Sequence, residues 1–228
     1  MSEPYNPSPV NPVPPAVVAL FLAIIGIEAM FTLGSQSGIG GPQAIGWRNN
    51  AIQTYGFSAD VFDWMLENNR YPPEHLMRFF TYPFVSATFT QALFGGVMVL
   101  ALGKFVGDVF SQWATLLLFI VSSVFGAVVY GFVAGAQPWL MGPFPGVYGL
   151  IGGFTYLMWL KLGQMGAPQA RAFSLIGLLL GIQLVFGLLF GGSRGWLADL
   201  SGFASGFALS FVLAPGGWQK IRTILRHE

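Results

Sequence analysis

GPFPGVYGLIGGF, from Gly142 to Phe154, holds five glycines and two prolines in thirteen residues and carries no charge. It opens an apolar stretch, and a run so rich in small and bent residues invites something to approach its backbone closely. The rest of the 228-residue chain shares this apolar character. It is 54% hydrophobic and 8% charged, against roughly 25% charged residues in soluble domains. That is the composition of an integral membrane protein. The net charge of +1 gives no broad basic surface, so nucleic acid is not an expected partner; membrane lipids are. With no cysteine in the chain, disulfides, thiolate metal sites and cysteine nucleophiles are all excluded.

A spanning helix needs about 20 mainly apolar residues, and six stretches qualify: 16–33, 79–102, 110–133, 146–161, 172–190 and 196–214. The expected fold is therefore all-α, a polytopic bundle of six transmembrane helices over residues 16–214. A Pro-rich arm, 1–15, precedes it, and a basic tail, 215–228, follows Pro215-Gly216-Gly217. An even number of spans puts both termini on one side. Lys220, Arg222, Arg226, Lys104, Lys161 and Arg171 gather on that side, against Arg48, Arg70, Arg78 and Arg194 on the other, so the positive-inside rule places both termini in the cytoplasm.

The long first loop, 34–77, is aromatic. Its segment SADVFDWMLENN starts with a helix cap at Ser58 and sets Val61, Phe62, Met65 and Leu66 on one side at helical spacing. Two readings are open: an interfacial helix lying on the bilayer, or aromatics packed on the end of the bundle.

The residues permit little catalysis. The two histidines, His75 and His227, lie outside the spans, so an intramembrane Ser-His dyad, haem ligation and zinc binding have no imidazole; no cofactor and no metal are expected. Lys104 and Lys161 fall at helix ends, where snorkelling accounts for them. Glu28 and Asp199 are the acids inside spans, and such acids are costly and usually functional. Glu28 reads better as a hydrogen-bonded, silent residue. For Asp199 a buried polar anchor or ligand contact and a residue reaching interfacial water both stay open. Gly149, Gly152 and Gly153 on the fourth helix, with Gly202, Ser205 and Gly206 on the sixth, offer small faces, so these two helices should touch.

TYPFVSATFTQALFGGVMVLALGKFVG, Thr81 to Gly107, resembles the second-helix pattern T-Y-x-F-x-H-x-x-x-x-H-x-x-x-N of the rhomboid family of intramembrane serine proteases. The two family histidines fall on Ser86 and Gln91, the asparagine on Gly95, and a later glutamate on Gly107. On the fourth helix the family's GASGAVYGLLGAF lies without gaps on Gly142 to Phe154. The nucleophilic serine falls on Phe144 and the following glycine on Pro145. A one-turn slip would put Tyr148 at the serine. On the sixth helix AHLGGFLAG pairs with ADLSGFASG, Ala198 to Gly206, and the general-base histidine lands on Asp199. Trp47-Arg48 is similar to a Trp-Arg pair of family first loops.

The resemblance implies a rhomboid-like bundle with a degenerate dyad (Phe144, Asp199) and degenerate oxyanion-side positions (Ser86, Gln91, Gly95): a pseudoprotease of a bacterial-type inner membrane. Inactive members bind transmembrane segments of other proteins, so the expected role is that of an interaction protein or accessory subunit whose partner is another integral membrane protein. Two alternatives stay in view: a protease with a displaced nucleophile, Ser201 or Ser86, and a small transporter or lipid-handling protein using Glu28 and Asp199. With Phe144 and Tyr148 filling the former catalytic cavity, a hydrogen bond between the Tyr148 hydroxyl and Asp199 is expected, directly or through water.

Overall fold

A computed structural model describes residues 12–36, 46–133, 139–190 and 194–214. Most of the Pro-rich arm and all of the basic tail lie outside these described residues. In chain order the elements are α1 (Pro15–Gln36), α2 (Trp47–Tyr55), β1 (Phe57–Ser58), α3 (Ala59–Asn68), α4 (Pro73–Leu76), α5 (Arg78–Thr81), α6 (Phe89–Gly107), α7 (Gln112–Val133), β2 (Trp139–Leu140), α8 (Phe144–Gln164), α9 (Ser174–Phe190) and α10 (Gly195–Leu213). Helices α1, α6, α7 and α10 are each long and apolar enough to cross a membrane. With α8, 21 residues, and α9, 17 residues, they make an all-α membrane bundle.

The second span differs from its expected start at Phe79. Residues 78–84 form α5 and a 3₁₀ turn, Tyr82–Phe84, and Val85 then turns extended at φ −111°, ψ 118°. Pro83 lies at the start of that 3₁₀ turn, after a helical Tyr82 (φ −56°, ψ −32°), where its missing N–H leaves no helical bond unmade. The long helix restarts at Thr88, whose hydroxyl accepts the Gln91 N–H at 3.2 Å and so satisfies one of the free donors of the first turn. The quoted opening stretch has a similar local logic. Pro143 is the N-cap of α8 and Pro145 lies in its first turn, where no intrahelical donor is required. Gly142 takes φ +92°, a left-handed conformation natural to glycine.

Three helices, α7, α8 and α10, come together almost backbone to backbone. A methyl group at Gly152 of α8 would meet the Phe203 carbonyl oxygen and the Phe207 nitrogen of α10, both at 2.5 Å. In return, Gly202 lies against the Pro145 backbone and Gly206 against that of Gly149. Gly126 of α7 leaves room for both Pro145 and Ala198; a methyl there would meet the Pro145 Cβ at 2.8 Å and the Ala198 carbonyl oxygen at 2.9 Å. The expected contact of the fourth and sixth helices is thus present, though not every glycine serves it. A methyl at Gly153 would meet Leu118 of α7 first, at 3.2 Å, with Ser210 of α10 at 3.6 Å, and Gly149 also borders Ser122. Ser205 turns to α7 as well, its hydroxyl donating to Ser122 Oγ at 3.2 Å. In lipid, where apolar burial drives little association, such close packing and interhelical hydrogen bonds hold helices together.

The first loop folds onto the end of the bundle where α8 begins. Ser58 caps α3, accepting the Val61 N–H at 3.3 Å. The apolar side of α3 buries Phe62 and Met65, with Phe62 lying on Gly131 of α7, so the bundle rather than the bilayer takes that face. Leu66 and Trp64 stay exposed. Phe57 and Ser58 pair antiparallel with Leu140 and Trp139, and Phe57 meets Phe79 edge-on at 4.9 Å in a cluster with Tyr82 and Tyr130. Arg78 donates to the Gly56 carbonyl at 3.0 Å; burial lowers its pKa, partly offset by Glu74.

Replacing Gly152 by valine forces α8 off α10 and is expected to lower unfolding stability in detergent by about 2 kcal/mol. Gly177→Val, at a position with open space beside it, should change it by less than about 0.5 kcal/mol. Thermal unfolding followed by circular dichroism checks both.

Candidate functional site

The site assembles around the start of α8. Phe144 is half-buried, its ring 6.3 Å from that of Phe94 on α6. Pro143 covers Gly95, leaving no room for a side chain at that position. Gln91 straps the α6 start to the segment before α8: its Oε1 accepts the Ala87 N–H at 2.8 Å and its Nε2 donates to the Met141 carbonyl at 3.1 Å. Gly142 is needed for this too, because a methyl group there would meet Gln91 Nε2 at 2.5 Å. The side chain of Ser86 is buried and its hydroxyl has no hydrogen-bond partner among the described residues. The three positions matched to family oxyanion-side groups therefore hold a strap (Gln91), a packing surface (Gly95) and an orphan hydroxyl (Ser86).

Asp199 lies one turn into α10 and is 7% exposed, so it does not reach interfacial water. It accepts a hydrogen bond from Gln183 Nε2 of α9 at 2.8 Å. Tyr148, on α8, is buried. Of the direct or water-mediated bond expected between Tyr148 and Asp199, the direct form is not made; Gln183 binds Oδ2 of the carboxylate. Sequence reasoning passed over Gln183, although an amide inside the apolar run 172–190 was a visible signal. Tyr82 donates to the Ser123 carbonyl at 2.7 Å, so this end of the bundle has a polar interior made by α7, α8, α9 and α10. Among the described residues no group of three His, Cys, Asp or Glu side chains gathers to hold a metal.

Glu28 and Arg48 form the second polar centre. Glu28 is 2% exposed, and Arg48 reaches it from α2 with both guanidinium nitrogens, at 2.9 Å and 2.5 Å. Thr32 adds a hydroxyl to the carboxylate at 3.1 Å. Arg48 also donates to the Ser86 carbonyl at 2.9 Å and lies over the Phe31 ring at 5.4 Å. One guanidinium thus ties α1, α2 and the approach to α6 together, while Trp47 beside it lines an open groove with Met30 and Phe31. A bidentate pair of this kind is geometrically specific. Glu28 is hydrogen-bonded inside the bundle, as the sequence implied; its cation from the first loop was not foreseen. Arg48→Leu strands a buried carboxylate and is expected to cost about 3 kcal/mol of stability in detergent, whereas Glu28→Met with Arg48→Leu recovers most of that loss. Chemical unfolding of the three variants measures the coupling.

Comparison with known proteins agrees with this architecture. A family model described as Rhomboid domain matches residues 73–216, which takes in everything from α4 through α10. Among curated proteins none matches the chain. With its membrane helices, its tight α8–α10 contact and a match over well more than half its length, the chain belongs to the rhomboid family.

Proposed function

We propose that this chain is a rhomboid-family pseudoprotease of a bacterial-type inner membrane, both termini cytoplasmic, that binds transmembrane segments of another integral membrane protein. The observation that carries the reading is the chemistry at the dyad positions. Phe144 has no nucleophile, and Asp199 is engaged with Gln183. Serine-type hydrolysis needs an activated hydroxyl and a base of suitable pKa. A scaffold with these residues in place is suited to holding a helix and not to cutting it, and the exposed apolar faces of its helices, for example Phe94, Phe105 and Trp113, favour contact with lipid or with a partner helix.

The displaced-nucleophile alternative has less support. Ser201 Oγ donates back to the Leu197 and Ala198 carbonyls of its own helix at 2.8 and 3.0 Å, and no histidine lies beside Ser86 among its described contacts. The transporter alternative is weakened by the pairing of Glu28 with Arg48, which removes one of its two acids from any polar path.

Purification of the full chain in mild detergent is expected to bring down a membrane protein in stoichiometric amount, and a fluorophosphonate probe is expected to leave the chain unlabelled. Labelling at Ser86 or Ser201 would contradict the reading. So would cleavage of a model transmembrane substrate by the unaltered chain. The triple variant Phe144→Ser, Pro145→Gly, Asp199→His is expected to stay inactive, because Gln91 and Gly95 still occupy the oxyanion-side positions.

A further inference from the structure

We propose that Asp199 and Gln183 form a recognition site for a basic side chain, lysine or arginine, carried within the membrane by a partner's transmembrane segment. This rests on the interaction role proposed above and names what the partner presents.

Among the described residues, the two buried acids are treated unequally. Glu28 is matched by Arg48. Asp199 is buried in the bundle, yet no described cation forms an ion pair with it. Its hydrogen bond comes from a neutral amide. An intramembrane carboxylate costs roughly 2.5 to 3.5 kcal/mol on insertion scales, and an amide N–H supplies one hydrogen bond but no compensating charge. The amide itself is half used: Gln183 Oε1 is buried and has no donor among the described residues. Against an ionised Asp199 the reverse orientation would set two acceptors against each other, and the Nε2 faces the carboxylate as observed, at 2.8 Å. A carboxylate short of a cation and an amide oxygen short of a donor therefore stand together. An ammonium or guanidinium group carries several N–H donors and a positive charge, and it answers both needs.

Access is consistent with this. Helix α9, which carries Gln183, packs against the 3₁₀ turn Gln169–Phe173 and α10. Gly177 and Gly181 on α9 have open space beside them, and Ile182 and Val185 are exposed. A partner helix can lie along this exposed side of α9, with its basic residue directed toward Asp199.

The test uses the full chain in lipid nanodiscs and synthetic transmembrane peptides of leucine and alanine with one central lysine, methionine or glutamate. Binding is read by fluorescence transfer. The lysine peptide is expected to bind about tenfold more tightly than the methionine peptide, and the glutamate peptide no better than methionine. The lysine preference should vanish in Asp199→Asn and persist in Asp199→Glu, with thermal unfolding confirming that both variants are folded. Should Asp199→Asn not fold, the order of the three peptides on the unaltered chain still decides. Equal binding of the lysine and methionine peptides, or a preference that survives in Asp199→Asn, overturns the proposal. If peptides bind regardless of their central residue, the interaction role stands and this inference falls. If no peptide binds and no membrane partner co-purifies, both fall.

Discussion

The backbone contact between α8 and α10 is the constraint on which the rest of the structure depends. In a bilayer the hydrophobic effect does not press helices together, because lipid tails are as apolar as leucine; close approach and the dispersion it allows must do so. Here glycines meet backbone on both sides of the contact, with Gly152 against Phe203 and Phe207, and Gly202 and Gly206 against Pro145 and Gly149. No side chain fits between them. The register of one helix on the other is consequently fixed to within an ångström or so, because a one-residue slide would drive a Cβ into a carbonyl.

That register decides what the site contains. Pro145 and Ala198 both rest on Gly126, so the residue after the family serine position and the residue before the family base position meet on one glycine of α7. Phe144, Tyr148, Gln91 and Pro143 fill and strap the region, and Asp199 turns to α9. A second constraint holds the first loop: the Arg48 guanidinium joins Glu28 of α1 to the Ser86 carbonyl, and the Phe57 cluster seals the end of the bundle beside it.

Much of this was legible in the sequence, for identifiable reasons. Apolar length located the long helices, and the glycine spacing on the fourth and sixth helices announced their contact. Ser58 declared its cap. Boundaries governed by local backbone chemistry were less clear: the apolar run from Phe79 hid the break at Val85, and Thr88, an ordinary residue in the sequence, is the cap of the long helix. Long-range polar partners were the least visible. Arg48 and Glu28 are twenty residues apart and Gln183 and Asp199 sixteen, and nothing in hydropathy says which amide or cation a buried acid will find. A direct Tyr148–Asp199 bond was one of the two expected forms and is absent, while an amide on α9 binds one of the carboxylate oxygens.

The register of α7, α8 and α10 underlies every one of these contacts, and the absence of cysteine from the chain makes it directly measurable. Ser122 of α7 and Ser205 of α10 have their hydroxyl oxygens 3.2 Å apart, so the double variant Ser122→Cys, Ser205→Cys should form a disulfide rapidly under mild oxidation in native membranes. Failure of that pair to cross-link, with Ser122→Cys joining only to Ser201→Cys or Leu209→Cys one turn away, would contradict the register.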